Sequence, residues 1–280
     1  MKKVISKLLV PINRLIPKHG VNHRVLVFCD MGIGDLVMLL PTLSELHECG
    51  FELVYHTTKP VIKTILQSHL PWKDYFREPH SSYGWSLNNF HTVYYREILC
   101  IMRNRIPNRV AHKHYLYSAF FNKNIAFAKN STMWQPLQNM QLCDQFGVAV
   151  VEPKLFFYTY PPIHTGAIVI QPFSYTDQRK ECMDWQKIAN EHPKDMVVVI
   201  GHKKEYREMP VNVFNMIGEL NIFEVAGLIK ASKHFYCLES GMAHIAAAVG
   251  ANTTVYYKKS ITREHCLHRH LKHMEYIEIP

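Results

Sequence analysis

Two glycine-containing turns hold the residues whose types could do chemistry. The first is Met31–Asp35, where Gly32 and Gly34 let the backbone turn tightly and approach a ligand. A helix that starts there would present unpaired N–H groups to an anion. Asp35 could take a proton from an acceptor hydroxyl, or it could cap the helix. The residues leave both interpretations open, and the turn has neither the lysine of a P-loop nor the third glycine of the dinucleotide fingerprint.

The second turn is Leu238–His244, which combines a hydroxyl, a glycine and an imidazole at the start of an alanine-rich helix. Ser240 and Gly241 would offer hydroxyl and backbone donors to a diphosphate. His244 lies one turn into the helix and would donate to a phosphate or sugar oxygen. A capped helix whose histidine is satisfied inside the fold explains the same residues, so both interpretations stay open here too.

Each turn lies between a predicted strand and a predicted helix. The first follows an apolar strand over residues 25–29 and begins a helix over 35–48, and another strand and helix follow over 51–69. A further alternation fills residues 167–257. Its strands are predicted at 167–171, 196–201, 234–238 and 253–257, and its helices at 181–191, 222–231 and 242–249. This rhythm predicts two parallel-sheet α/β domains, in which ligands bind at the carboxyl ends of the strands.

A linker is predicted over residues 158–162, because adjacent prolines stiffen the chain and cannot join a strand ladder. Between residues 71 and 130 no period is sustained, so no strand is assigned there. The predicted parts are an N-terminal domain (1–160) that begins with an amphipathic basic extension (1–20), a C-terminal domain (161–261), and a last helix (262–280) that crosses back to the first domain.

The composition favours anionic partners and a reducing compartment. Lys and Arg number 32 against 23 Asp and Glu, and the net charge of +9 suits nucleotides, nucleic acid or anionic lipid. The 7 cysteines are scattered without a CxxC pair, which is typical of a cytoplasmic protein. No apolar run reaches the ~18 to 20 residues of a membrane-spanning helix. Residues 1–18 mix apolar and basic positions near helical spacing, so either peripheral contact with the inner membrane or docking on the protein's own surface accounts for them.

In order and spacing, the two turns resemble those of the bacterial ADP-heptose heptosyltransferases, glycosyltransferase family 9. The resemblance covers residues 24–58 and nearly all of 165–257. Two of the matching segments are the turns themselves, at residues 32–37 (followed by 40–43) and residues 239–248. Between them, the matches are residues 170–174, Arg179 and Lys180 together with Trp185, and residues 198–201 together with Glu205. Agreement of several segments in order is more specific than any one of them. Glu239 stands where the family usually has aspartate and is one methylene longer, so the sugar is expected to be either a heptose or a similar sugar that is not a heptose.

The resemblance implies the GT-B fold, in which two Rossmann-like parallel-sheet domains face a central cleft. It implies that Asp35 is the catalytic base for the acceptor hydroxyl. It also implies an ADP- or UDP-type nucleotide-diphosphate sugar as donor, with Arg179 or Lys180 at the phosphates and Glu205 at the nucleoside. The residues expected to bind the donor are Gly34, Ser174, Arg179, Lys180, Gly201, Glu205, Glu239, Ser240, Gly241, Met242 and His244.

The enzyme implied is an inverting glycosyltransferase without a cofactor or metal. Its single displacement needs a base and stabilisation of the departing diphosphate, which cations and helix N–H groups supply. No Asp-x-Asp pair stands at a predicted strand end to hold a divalent ion. The histidine-rich segment 261–273 contains Arg263, Arg269 and Lys272, so a solvated basic face or an anion-binding surface is favoured over a zinc site.

Two acceptors remain open. The amphipathic N-terminus favours a lipid-linked saccharide of the lipopolysaccharide type. The basic charge also suits DNA with modified bases, which phage enzymes of the GT-B type glycosylate, and Arg103, Arg105, Arg109 and Lys113 are the candidate contacts. From other classes, a nucleotide-sugar epimerase or an inactive sugar-binding relative would share the double α/β architecture.

Overall fold

The structure is a computed structural model of the 280-residue chain. It describes residues 22–71, 73–77, 82–88, 95–112, 120–125, 133–173, 183–202, 213–260 and 262–279. The chain forms two compact units. The first comprises residues 1–129 and 135–153, and the second comprises residues 130–134 and 154–280. Each unit contains its own parallel sheet, which confirms the predicted fold class of two parallel-sheet α/β domains.

The first unit is built on a parallel sheet. Its described strands are β1 (Arg24–Phe28), β2 (Glu52–His56), β3 (Trp85–Asn88), β4 (Asn108–His112) and β5 (Lys123–Ile125). They lie in the order β2-β1-β3-β4-β5, and every neighbouring pair is parallel. The chain therefore forms β2 on one side of β1 and continues on the other side from β3 onward. In open α/β sheets, such a reversal of strand order leaves a crevice at the carboxyl ends of the two strands between which it occurs.

Helices pack with this sheet. Those in the described ranges are α1 (Ile33–Glu48), α2 (Pro60–His69), α3 (Tyr95–Arg103) and α4 (Gln135–Met140), and a 3₁₀ turn over Gln141–Phe146 follows α4. α1 forms because the run from Leu36 to Leu43 is buried throughout. α4 packs against α1, where Asn139 Nδ2 donates to the carbonyl oxygen of Met38 at 3.0 Å. This packing holds the helix that carries Asp35.

The second unit contains a larger parallel sheet. Its described strands are β6 (Ile168–Gln171), β7 (Val197–Val199), β8 (Val213–Asn215), β9 (His234–Leu238), β10 (Thr253–Tyr257) and β11 (Met274–Glu278). Their order is β11-β10-β9-β6-β7-β8, again with parallel neighbours throughout. The described helices are α5 (Trp185–Glu191), α6 (Ile222–Ala231) and α7 (Gly241–Val249). The strand order reverses between β6 and β9, so the carboxyl ends of these strands frame a second crevice.

The central strand β6 shows how this sheet is buried on both faces. Ile168 and Ile170 pack in one apolar cluster, and Val169 packs in another. All three side chains are fully buried. Parallel strands covered on both faces are expected to be continuously apolar, which is why this strand could be predicted from its composition.

The end of the chain differs from the helix predicted for residues 262–280. Glu264–Cys266 forms a single 3₁₀ turn, and Met274–Glu278 forms β11, which pairs with β10 along its whole length. The exposed edge of β10 would otherwise carry unpaired backbone donors and acceptors. A strand satisfies these groups, whereas a helix keeps its own backbone bonds internal.

Peripheral membrane contact is predicted for residues 1–18, which lie outside the described residues. In the described ranges, no helix is both long and apolar enough to cross a bilayer. The longest of these helices, α1, has 16 residues, and its mid-part is buried inside the first unit.

Residues 157–160, which precede the second sheet in the chain, pack on α6 through both side chains and backbone. Phe157, Tyr158 and Tyr160 place their rings around Phe223 of α6. The Tyr160 N–H donates to the Phe223 carbonyl at 3.1 Å. The chain runs so close to the helix that a β-carbon at Gly227 would collide with the Tyr160 carbonyl oxygen. Glycine is therefore required at position 227 by the close approach of two backbones.

We expect Gly227→Ala to destabilise the protein, although alanine in a helix interior ordinarily gains ~0.5–1 kcal/mol over glycine. The added methyl group would force the Tyr160 segment off α6, and overpacking of this kind costs ~1–3 kcal/mol. Urea denaturation measures the free energy of unfolding, with Lys230→Ala on the exposed side of the same helix as the control. A stabilised Gly227→Ala variant would show that the two backbones are not held together as described.

Candidate functional site

The carboxyl edge of the first sheet is organised by Asp30. This residue follows β1, and its side chain is only 3% exposed. The carboxylate accepts hydrogen bonds from the Thr58 N–H at 2.6 Å and from the Thr57 and Thr58 hydroxyls at 3.1 Å each. Arg96 of α3 adds a charged contact, with Nη2 2.6 Å from Asp30 Oδ2. Asp30 thereby joins the ends of β1 and β2 to the beginning of α3.

These contacts set the pKa of Asp30. Burial raises the pKa of the carboxyl, but the hydrogen bonds from Thr58 and Thr57 and the charge of Arg96 lower it, and the net pKa lies below its ordinary value. Asp30 is therefore ionised at neutral pH. Sequence analysis did not single this residue out, because an aspartate after a strand gives no sign of the threonines and the arginine that meet it in space.

Asp35 lies in the first turn of α1 and is partly buried. Its Oδ2 accepts a hydrogen bond from the Gly32 N–H at 3.3 Å, so the carboxylate caps the helix. Gly34 is buried in the same turn. A carboxylate has two oxygens and about four lone-pair sites, so capping does not prevent it from taking up a proton. The role of Asp35 as a base stays a prediction.

The carboxyl edge of the second sheet is organised by Ser240. This residue follows β9 and is the N-cap of α7, where its hydroxyl oxygen accepts from the Met242 N–H at 3.3 Å. The same hydroxyl donates to Gln171 Oε1 at 3.2 Å. Gln171 ends β6, the neighbouring strand on the other side of the strand-order reversal. Ser240 therefore bridges the two strands that frame the crevice, at the place where the N-terminus of α7 would favour an anion.

Glu239 and His244 lie beside this bridge and are both buried, at 7% and 6% exposure. Glu239 Oε1 is 3.8 Å from His244 Nε2, which is an ion-pair distance but longer than a direct hydrogen bond. Glu239 also borders a small recess at the ends of β9, β10 and β11. The recess is lined by Leu238, Glu239, Tyr256, Tyr257, Lys258, Thr262 and Ile279. A carboxylate, an imidazole and an ammonium group are thus gathered at the carboxyl edge of this sheet.

His244 is contacted on its other nitrogen by a second histidine. Nδ1 of His244 lies 2.7 Å from Nε2 of His268, and Trp134 Nε1–H donates to Nδ1 of His268 at 2.9 Å. His268 is fully buried. Burial, together with the nearby His244, His270 and His273, lowers the pKa of His268 well below its ordinary value. His268 is therefore neutral, and sequence analysis missed it because its partners are distant along the chain.

The segment over residues 262–273 exposes the three basic side chains of the predicted solvated face, Arg263, Arg269 and Lys272, but it buries two of its histidines. His265 and His268 are buried at 1% and 0% exposure, and Leu267 between them is 5% exposed. The segment connects the neighbouring strands β10 and β11 and packs into the unit through His265, Leu267 and His268, whereas its other histidines, His270 and His273, are exposed and half-buried. Within the described part of the chain, no group of three or more His, Cys, Asp or Glu residues is arranged to hold a metal ion.

Part of the predicted donor site comes together in the structure. The residues gathered in one turn and the start of α7 are Glu239, Ser240, Gly241, Met242 and His244. Gly201 lies just after β7 in the same sheet, and its carbonyl accepts a hydrogen bond from the Gly218 N–H at 3.0 Å. Gly34 belongs to α1 of the first unit. The predicted donor residues outside the described ranges are Ser174, Arg179, Lys180 and Glu205.

Arg109 is not available for the nucleic-acid contact considered for it. Its guanidinium donates to two backbone carbonyl oxygens at 2.9 Å each, and the residue is 2% exposed. Burial lowers the pKa of Arg109 to about 10. Of the other candidates, Arg103 and Arg105 are exposed and Lys113 lies outside the described residues. A duplex would therefore meet fewer cations here than the sequence suggested.

Comparison with known proteins found a match at the level of a family. The sequence model of glycosyltransferase family 9 (heptosyltransferase) matches residues 104–273, more than half of the chain. No curated protein matches the sequence.

Solved structures match over almost the whole chain. A glycosyl transferase family 9 protein from Veillonella parvula DSM 2008 is 12% identical, with a TM-score of 0.71 over 91% of this chain and 85% of that one. The E. coli heptosyltransferase WaaC, solved with ADP, is 13% identical, with a TM-score of 0.70 over 92% and 91%. The E. coli ADP-heptose lps heptosyltransferase II is 14% identical, with a TM-score of 0.69 over 91% and 90%. At these identities the similarity shows the fold alone, and it confirms the predicted GT-B class.

We expect Asp30→Asn to lower the free energy of unfolding by ~1–3 kcal/mol at neutral pH, because buried donors lose a charged acceptor. The folded pKa of Asp30 lies below the unfolded value of about 3.9, so this stabilisation is fully present above that pH and is lost as pH falls through the folded pKa. Urea titrations at pH 7 and pH 3 measure the difference. The exposed Asp144→Asn in the same unit is the control. A wild-type advantage that is as large at pH 3 as at pH 7 would contradict this account of Asp30.

Proposed function

Because the chain belongs to glycosyltransferase family 9, we propose that it moves a sugar from a nucleotide-diphosphate donor to a hydroxyl of a saccharide acceptor, with inversion at the anomeric carbon. The donor is a heptose or a similar sugar on an ADP- or UDP-type nucleotide. The observation that carries the proposal is the turn at Ser240. There a bridged pair of strands, a helix N-terminus and two buried ionisable side chains meet where the strand order reverses.

The diphosphate is proposed to bind at the N-terminus of α7. A helix N-terminus favours anions through its N–H groups and its dipole, and Ser240 holds this one in place through its hydrogen bonds to Met242 and Gln171. Arg179 and Lys180 are proposed to add positive charge. Ser174 and Gly201 are proposed to contact the donor as well, and Gly201 lies just after β7. Fixed donors and cations of this kind stabilise the charge that develops on the departing diphosphate.

The sugar is proposed to lie against Glu239 and His244. A carboxylate accepts hydrogen bonds from sugar hydroxyls, and a neutral imidazole donates one to a phosphate or sugar oxygen. Both side chains are buried at the carboxyl edge of the second sheet, 3.8 Å from each other. Glutamate is one methylene longer than aspartate, so its carboxylate reaches further, and this supports a sugar that resembles heptose without having to be heptose.

Asp35 is proposed to be the base that takes the proton from the acceptor hydroxyl as the sugar is transferred. Its position supports this role, because α1 follows β1 at the reversal of strand order in the first sheet. The reaction is a single displacement, so the base and the leaving-group stabilisation act in the same step and no covalent intermediate forms on the protein. The proposal involves no metal, since cations and N–H groups meet the diphosphate.

Several observations support the identity of the substrates. The E. coli WaaC structures were solved with ADP and with ADP-2-deoxy-2-fluoro heptose, which favours an adenine nucleotide as the donor. Glu205 is proposed to contact its ribose, as the resemblance implies. The net charge of +9 and the amphipathic residues 1–18 support an acceptor of the lipopolysaccharide type, carried at an anionic membrane surface.

We expect nucleotide diphosphates and their sugars to raise the free energy of unfolding, by ~2.7 kcal/mol at about 100 times Kd. Ser240→Ala should weaken the affinity about 3- to 10-fold, because it removes the hydrogen bonds to Gln171 and Met242 that hold the N-terminus of α7 in place, each worth ~0.5–1.5 kcal/mol. Scanning fluorimetry across a nucleotide panel measures this, with each variant compared to its own ligand-free form. Ser44→Ala, at a half-buried position of α1, is the control. Equal affinity in Ser240→Ala and wild type would place the diphosphate elsewhere.

Asp35→Asn should lower kcat ~10²–10⁴-fold, the usual contribution of a general base, and leave nucleotide binding unchanged. Asparagine keeps an oxygen that accepts from the Gly32 N–H, so the helix stays capped. Release of nucleoside diphosphate in the presence of a lipopolysaccharide-type saccharide measures turnover. Glu48→Gln, near the other end of α1, controls for the loss of a carboxylate. Turnover near the wild-type rate in Asp35→Asn would limit this residue to capping.

A further inference from the structure

Three side chains of the second unit form a line that ends at the proposed donor site. Trp134 Nε1 lies 2.9 Å from His268 Nδ1, and His268 Nε2 lies 2.7 Å from His244 Nδ1. The remaining ring nitrogen of His244, Nε2, is 3.8 Å from Glu239 Oε1. We refer to Trp134, His268 and His244 as the relay.

The direction of each hydrogen bond follows from the chemistry of the indole. Its N–H can only donate, so His268 Nδ1 is the acceptor and carries no proton. Because His268 is neutral, its single proton lies on Nε2 and is donated to His244 Nδ1. His244 Nδ1 is then an acceptor, and the proton of its neutral ring lies on Nε2. This is the nitrogen that faces Glu239.

The opposite tautomer of His244 would break the relay. A proton on His244 Nδ1 would point at the Nε2–H of His268. To accept it, His268 would have to carry its own proton on Nδ1, where it would meet the Trp134 N–H. Either arrangement sets two donors against each other and loses one hydrogen bond of the relay. A doubly protonated His244 has the same consequence.

The relay is anchored in the surrounding fold. The backbone N–H of His268 donates a hydrogen bond to the hydroxyl of Tyr276, in β11, at 2.8 Å. The Trp134 ring also contacts the ring of His270 edge-on, with centroids 4.2 Å apart. His244 itself is buried in the first turns of α7. The imidazole of His244 is therefore oriented before any ligand arrives, which reduces the conformational entropy lost on binding.

We propose that His268 and Trp134 are positioning residues for the donor site, which hold His244 as the Nε2–H tautomer and direct that proton toward the ligand. The inference rests on the proposed function, because the ligand would be a phosphate or hydroxyl oxygen of a nucleotide sugar. His244 then presents one donor beside Glu239, which presents acceptors only. Such a pair recognises a sugar hydroxyl next to a phosphate.

The tautomer of His244 tests the proposal directly. In protein labelled with ¹⁵N-histidine, ¹H–¹⁵N correlation through the ring distinguishes the two tautomers, and His244→Asn identifies the signal. Wild type is expected to show the Nε2–H form, and Trp134→Phe a mixture of both forms. Trp85→Phe is the matched control, since its buried indole nitrogen has no hydrogen-bond partner among the described residues. His268→Gln is expected to keep His244 in the Nε2–H form, because the glutamine amide can still donate a hydrogen bond to His244 Nδ1.

An unchanged tautomer of His244 in Trp134→Phe overturns the proposal, even if stability falls, because an indole that only packs would have no influence on which nitrogen carries the proton.

Binding gives a second measurement, with ADP and an ADP-sugar as probes. Trp134→Phe is expected to raise their Kd about tenfold, which is the smaller end of the loss of affinity seen when a metal-ligating histidine loses its outer hydrogen-bond partner. A shifted tautomer with unchanged affinity would overturn the positioning role. If the wild-type protein binds no nucleotide, the proposed function is overturned instead. The tautomer of His244 is measured without a ligand, so it still tests whether Trp134 and His268 orient His244.

Discussion

The reversal of strand order within each parallel sheet is the constraint on which both candidate sites depend. In the first sheet the reversal falls between β1 and β3, and in the second between β6 and β9. Where successive connections diverge, the carboxyl ends of two adjacent strands are left available to polar side chains and ligands. Asp30 and Asp35 follow β1, and Ser240 follows β9. The candidate site residues lie at these positions, whereas the interior of a central strand such as β6 is apolar and buried on both faces.

Polar side chains at such an edge need partners, and the partners come from distant parts of the chain. Asp30 is held by Arg96, and Ser240 by Gln171. Each contact satisfies a group that would be costly to bury alone, and each fixes the position of the turn that carries the candidate site. The same interactions therefore serve stability and preorganisation, so a residue such as Ser240 is expected to affect both.

The relay extends this principle behind the site. A buried histidine is costly when it is charged. In a neutral histidine one ring nitrogen accepts and the other donates, so the hydrogen bond at one nitrogen determines the direction of the hydrogen bond at the other. Trp134 is suited to the first position because an indole can donate but never accept. Glu239 lies on one side of the His244 imidazole and His268 on the other, so both ring nitrogens of His244 face a buried side chain.

The sequence by itself determined the elements with strong local signals. The strands at 234–238 and 253–257 and the helix at 222–231 are predicted with the bounds found in the structure. Strand β3 was not assigned, because Ser86 and Asn88 are polar and are buried only by their neighbours.

The sequence also determined that Glu239, Ser240 and His244 share a turn, since they are close in the chain. Only the tertiary structure decided the strand order and the burial of His268. It also decided the contact between His268 and Trp134, which are 134 residues apart in the chain. Apolar periodicity and helix capping are local properties that leave a pattern in the sequence. Contacts between distant residues leave none, because a hydrogen bond depends on atoms brought together by the fold.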